Sequence, residues 1–298
     1  MKIVIALGGN ALGENPEKQR AMVAETAKKI VPIVEAGHDI IITHGNGPQV
    51  GMINLAFSEG SKVNSKVYEM SFVECGAMSQ GYIGYYLQTA IENELRKINL
   101  KKNVVTIVTQ IKVDKNDPAF LHPTKPVGSF YTKEDALKLG VPVMDDAGRG
   151  YRRAIASPKP LEVLEKDTVE KLNKEGNIVI TCGGGGIPVV LENNEYVGID
   201  AVIDKDFASS KLADDINADV LLILTGVDKV AINFKKPNQF ELGEMKIDEM
   251  IAYNEAGHFP PGSMKPKVEA CLDFVKGGKN RLAIITSIDK APDEESYM

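Results

Sequence analysis

Short apolar runs recur along this chain at 3–7, 40–43, 104–108, 178–182, 220–224 and 282–286, and most of them show no alternation with polar residues. Strands buried on both faces have that appearance, because neither side of the pleat meets water. Helical patterns lie between the runs, at 17–36, 67–96, 161–175, 206–217, 247–256 and 265–275. Strands alternating with helices predict parallel pairing through crossover helices. The expected fold is therefore α/β, a three-layer αβα sandwich around a mostly parallel central sheet. Pro32 interrupts the first helical pattern and predicts a kink or an earlier break there, with Gly37 closing the helix.

The rhythm fails between 112 and 160. That stretch is rich in proline, glycine and charge and lacks a long strand-helix pair. It is too long for an ordinary connection and is expected to form an inserted lid subdomain, about 112–160, with short strands of its own inside a single domain spanning 1–298.

Glycines follow three of the apolar runs. Gly8-Gly9-Asn10 comes after the first, Gly45-Asn46-Gly47 after the second, and Gly183-Gly184-Gly185-Gly186 after the fourth. A lone glycine pair reads as a tight turn. Three glycine loops at the carboxyl ends of parallel strands predict one crevice in which backbone N–H groups approach an anion. The second loop carries Val50 where a dinucleotide fingerprint needs glycine, so a dehydrogenase reading is disfavoured. His44 reads as a structural hydrogen-bonding residue.

With 43% hydrophobic and 26% charged residues, the composition is that of a soluble globular protein. No apolar run is long enough to cross a bilayer, and a cytoplasmic protein without membrane attachment is expected. The net charge of −6 argues against nucleic acid as a partner and requires any anion site to be a local concentration of donors. Cys75, Cys182 and Cys271 form no metal or disulfide pattern and read as reduced packing residues.

The cations available for such a site are Lys125, flanked by prolines in the inserted segment, Lys205 beside Asp206, and Lys267 at the start of a late helix. Each alone reads as a solvated charge. Phosphoryl transfer, however, needs cations around a charge-rich transition state, and a carboxylate such as Asp206 could hold them in register. The P-loop and protein-kinase motifs are absent.

Taken in order, these strings resemble the carbamate kinase branch of the amino acid kinase family. The likeness runs from Ala6-Leu7-Gly8-Gly9-Asn10 through His44-Gly45-Asn46-Gly47-Pro48, Pro123-Thr124-Lys125-Pro126 and Cys182-Gly183-Gly184-Gly185-Gly186 to Asp204-Lys205-Asp206-Phe207, Thr225-Gly226-Val227-Asp228 and Gly262-Ser263-Met264. It implies reversible transfer between ATP and carbamate, giving ADP and carbamoyl phosphate. Mg²⁺ would arrive on the nucleotide rather than in a protein metal site, and the assembly would be a homodimer.

In the family, the loop matching Gly8, Gly9 and Asn10 cradles the transferred phosphoryl group. The loop matching Gly45, Asn46 and Gly47 helps shape the small-anion site. Gly184 and Gly185, in the glycine run after the fourth apolar run, are expected to bind substrate or phosphate through close backbone approach. Lys125 would reach in from the lid, Lys267 would contact ATP phosphates, and Asp206 would organise Lys205 and its neighbours. Thr225, Gly226, Val227, Asp228 and Met264 would lie near the nucleotide. Lys265 reads as a surface charge. The alternatives are a sister kinase acting on another small acidic substrate and a silent sensor of nucleotide or carbamoyl phosphate.

Overall fold

The structure, a computed structural model, describes residues 1–8, 12–13, 15–146, 148 and 150–291, with Ser129 described by its backbone alone. Gly9 and Asn10 therefore lie outside the described residues. The six apolar runs form one six-stranded sheet, built from β1 (Lys2–Leu7), β2 (Asp39–His44), β3 (Val104–Thr106), β4 (Ile178–Ile180), β5 (Val220–Thr225) and β6 (Leu282–Ser287). Its spatial order is β6-β5-β1-β2-β4-β3, and every neighbouring pair is parallel. The chain leaves β1 toward β2 on one side and later returns to β5 on the other. The carboxyl ends of β1 and β5 thus flank the switch point where open α/β sheets bind ligands.

The period of two along β1 sorts its side chains into two cores. Ile3, Ile5 and Leu7 face the layer made by helices α1 (Pro16–Glu35) and, further along the chain, Phe72–Lys97. Val4 and Ala6 face the opposite layer, where Leu212 and Phe274 pack. Both faces are buried, which explains why the runs carry no alternation. Helix α1 continues through Pro32 without a break: Pro32 lies in the last turn, where its carbonyl accepts from Ala36 N–H at 2.9 Å. Gly37, at φ +87°, follows the helix end.

Three expected boundaries are corrected. The loop expected after β2 opens directly into helix α2 (Gly47–Val63), with Pro48 in its first turn where a missing N–H costs nothing. The helical pattern expected over 67–96 begins only at α3 (Phe72–Lys97), because Ser71 and Glu74 form a capping box. The pattern at 161–175 likewise divides into a short strand, Glu162–Val163, and helix α5 (Lys166–Lys174), which comes after the short helix α4 (Lys133–Lys138). Helices α6 (Lys205–Asp215), α7 (Ile247–Glu255) and α8 (Met264–Lys276) follow.

Within 112–160, strands Lys125–Tyr131, Val143–Asp145 and Tyr151–Ile155 form a separate antiparallel sheet. Val127 and Ile155 of this sheet pack on Val50, Phe72 and Cys75, which places it above the start of α2 and α3.

Candidate functional site

The sheet ladder runs on past the ends of β1 and β2 into the first residue that follows each. Gly8 N–H donates to Leu224 O at 3.2 Å and Gly45 N–H donates to Leu7 O at 3.1 Å. A Cβ at Gly8 would stand 2.9 Å from Leu224 O, so only glycine permits this approach. The run after β4 is likewise explained by crowding. A Cβ at Gly183 would sit 2.6 Å from His44 Nε2, one at Gly184 2.0 Å from Asn46 Nδ2, and one at Gly185 2.1 Å from Ile203 O. These glycines let the second loop and the segment before α6 close over the sheet.

A cavity of about 1000 Å³ opens above these loops. Gly45, Asn46, Gly47 and Gly184 line it from the β2 and β4 side, and Thr225, Gly226 and Val227 from the end of β5. Lys205, Asp206, Met264 and Lys267 contribute from two helices, and Lys125 from the three-stranded sheet. Gly8, Gly185 and Asp228 are not part of this lining; the Asp228 carbonyl accepts from Thr286 Oγ1 at 3.0 Å. Helices α2, α6 and α8 all present their first turns to the cavity, so three positive dipole ends converge there.

Asp206 is the hub of the charges. It is buried, with Lys205 Nζ on Oδ1 and Lys267 Nζ on Oδ2 at 2.8 Å. Burial pushes the Asp206 carboxyl up, but the two lysines outweigh it and hold the group below the ordinary carboxylate range. Burial pulls Lys205 below the ordinary lysine value, and Asp206 opposes that pull without cancelling it. Two ammonium groups are thereby held side by side by one carboxylate, a pre-set receptor for a polyanion.

Lys125 Nζ donates to Asp204 Oδ2 at 2.5 Å, and Asp204 Oδ1 accepts Asp206 N–H at 2.9 Å as the N-cap of α6. Asp204, which the sequence shows only as part of a charge cluster, also lines the cavity, as do Arg152 and Phe130, to which the sequence reading assigns no role. Arg152 donates from Nε to Gly128 O at 3.0 Å, pairs with Asp146 at 2.9 Å and lies 4.9 Å from the centre of the Phe130 ring. For Asp204 a usable signal existed, since Asp204-Lys205-Asp206 places an N-cap residue directly before a helical pattern. Arg152 and Phe130 meet only through strand pairing across the insertion, and local sequence carries no sign of it.

His44 is buried, with Nδ1 on Gly45 O at 2.9 Å, and burial pulls its pKa down to about 4. It is neutral near pH 7 and structural. Lys265 faces Glu269 along α8 at 3.9 Å, a surface pair. Burial also pushes the Cys182 thiol up to about 12 and raises Cys75 and Cys271, which keeps all three in the unreactive thiol form. Among the described residues no group of three His, Cys, Asp or Glu side chains is placed to hold a metal ion, and no helix is long and apolar enough to cross a membrane.

The sequence profile of the amino acid kinase family matches residues 1–286. The carbamate kinase of Clostridium perfringens is 51% identical to this chain, the match covering 98% of the chain and 96% of that protein. The carbamate kinase-like protein YqeA of Escherichia coli is also 51% identical, over 98% of this chain and 95% of its own length. Among solved structures, carbamate kinase from Giardia lamblia bound to AMP-PNP superposes with a TM-score of 0.91 at 44% identity, covering 99% of this chain and 95% of that one.

Proposed function

This chain belongs to the amino acid kinase family, and from that premise we propose that it is an ATP:carbamate phosphotransferase, interconverting ATP and carbamate with ADP and carbamoyl phosphate. The observation that carries the reading is the pair of lysines held on buried Asp206 where α6 and α8 begin, with Lys125 facing them from the three-stranded sheet.

The nucleotide lies along Thr225, Gly226, Val227, Asp228 and Met264, with its phosphates toward Lys267 and Lys205. The loop of Gly8, Gly9 and Asn10 cradles the phosphoryl group in transfer, and Gly45, Asn46, Gly47, Gly184 and Gly185 shape the small-anion site. A carbamate oxygen is already anionic, so the acceptor needs no general base, and a neutral buried His44 is consistent with that chemistry. What the reaction needs is alignment and positive charge, and Lys125, Lys205 and Lys267 supply the charge. Asp206 and Asp204 are committed to lysines. Mg²⁺ therefore enters as part of the nucleotide substrate, held by phosphate oxygens.

The sheet spanning Lys125–Tyr131 to Tyr151–Ile155 serves as a lid. Exposed Met78 and Tyr85 on α3 supply a face for a homodimer. The setting is the cytoplasm, where such an enzyme works in arginine and carbamoyl phosphate metabolism.

The test is ATP formation from ADP, Mg²⁺ and carbamoyl phosphate, beside acetyl phosphate and acetylglutamyl phosphate as competing donors. Turnover with carbamoyl phosphate alone is expected. Lys125→Ala should lower kcat by about 10²-fold, the scale of losing one group that stabilises transition-state charge. Preference for another donor would move the assignment to a sister kinase, and nucleotide binding without turnover would move it to a sensor.

A further inference from the structure

We infer that Asp204 is a positioning residue for the transfer step: it sets the ammonium of Lys125, carried on the three-stranded sheet, over the first turn of α6 so that lid and lysine pair act in one alignment. This rests on the phosphoryl-transfer reading above.

Both oxygens of Asp204 are committed, and to different bodies. Oδ1 accepts the Asp206 N–H at 2.9 Å, which locks the carboxylate to the helix that carries Lys205 and Asp206. Oδ2 accepts Lys125 Nζ at 2.5 Å, which locks the same carboxylate to the strand Lys125–Tyr131. Capping a helix N-terminus holds the carboxylate in a fixed orientation at this place. Asp204 is the less exposed partner, at 15% against 35% for the Lys125 side chain. The helix end is thus the reference and the lysine the group being placed.

An ammonium has three N–H donors. One is consumed by Asp204, and the others remain to be offered to phosphoryl oxygens in a fixed direction. Without the carboxylate, a lysine of this exposure on a flexible stem relaxes toward water. Two further links join the sheet to the segment before α6, Arg153 to Asp200 at 2.7 Å and Val202 N–H to Ala156 O at 3.0 Å. The Arg153–Asp200 pair is exposed on both sides and screened, and the link through Val202, a lining residue, is a backbone bond that places no charged group. Alignment of the reactive cation therefore falls to Asp204.

The experiment is a double-substitution cycle in the full chain, using Asp204→Asn, Lys125→Ala and the pair, followed by ATP formation from ADP and carbamoyl phosphate. Asparagine keeps the helix cap, so the melting temperature should stay near that of the unsubstituted chain; Asp204→Ser, which also caps, guards against a folding defect peculiar to asparagine. Asp204→Asn is expected to lower kcat by about 10- to 100-fold, as a small misplacement of a transfer group does, with KM for ADP unchanged. In the Lys125→Ala background the same substitution should change kcat by less than about twofold, since the group being placed is gone. Multiplicative losses in the two backgrounds, or full kcat in Asp204→Asn, would overturn the inference while leaving the functional reading intact. No turnover by the unsubstituted chain would overturn both.

Discussion

His44 lies beneath the glycine run with its imidazole buried and its pKa pulled down to about 4. The unfolded chain takes up that proton near pH 6.5 and the folded chain does not, so stability falls as pH drops through the window from about 6.5 to 4 and levels off below it. The full loss is about 3 kcal/mol. Denaturant unfolding of His44→Gln against the unsubstituted chain should therefore show a flatter stability profile between those limits, and parallel profiles would contradict the assignment. Asp206, lowered by its lysines, contributes stability above the unfolded carboxylate value that is lost as pH falls further, and this acid limb should survive in His44→Gln. At this scale the sequence was legible wherever chemistry and local pattern coincided. Lys205, Asp206 and Lys267 read as a lysine-carboxylate set, and the structure brings them into contact. Gly184 lines the cavity, and a Cβ there would also strike the Asn46 side chain, a tertiary contact that no spacing rule exposes.

Among the elements, α3 shows how closely helix and sheet are fitted. Gly84 faces Thr106 of β3 so tightly that a Cβ would lie 2.2 Å from Thr106 Cγ2. Gly84→Ala gains helix propensity of about 1 kcal/mol, but overpacking of about 1–3 kcal/mol opposes it, so net destabilisation is expected. The double substitution Gly84→Ala, Thr106→Ala should be more stable than Gly84→Ala alone in chemical denaturation, because the clashing methyl is removed. If the double is the less stable of the two, this packing account fails. All six strands of the central sheet could be read from their apolar runs, since burial on both faces leaves no polar interruption. Helix α2 could not, because its first residues, Gly47 and Pro48, carry turn-forming chemistry that outweighed a weakly apolar helix of which only Gln49 and Val50 are buried. The start of α3 was legible in principle: Ser71-Phe72-Val73-Glu74 has the spacing of a capping box.

For the molecule as a whole, strand order was the part that sequence did not reveal. Parallel pairing and layering follow from alternation of elements, whereas the placing of β5 and β6 beyond β1 depends on the long-range core that Val4 and Ala6 share with Leu212 of α6 and Phe274 of α8. That order brings Gly8, after β1, against the end of β5, whose following residues line the cavity. The chain carries a net charge of −6, yet Lys125, Arg152, Lys205, Lys229 and Lys267 all line this one cavity. The fold thus concentrates cations against the overall balance. Gly8 and Gly45 are bonded into the sheet ladder, through Gly8 N–H to Leu224 O and Gly45 N–H to Leu7 O. On the proposed lid role of the three-stranded sheet, the expected slow event of a turnover is the movement of that sheet away from the cavity to release product. Its drag is hydrodynamic, so kcat should fall as a small viscogen thickens the solvent, and a kcat indifferent to viscosity would place the slow event in the chemistry instead.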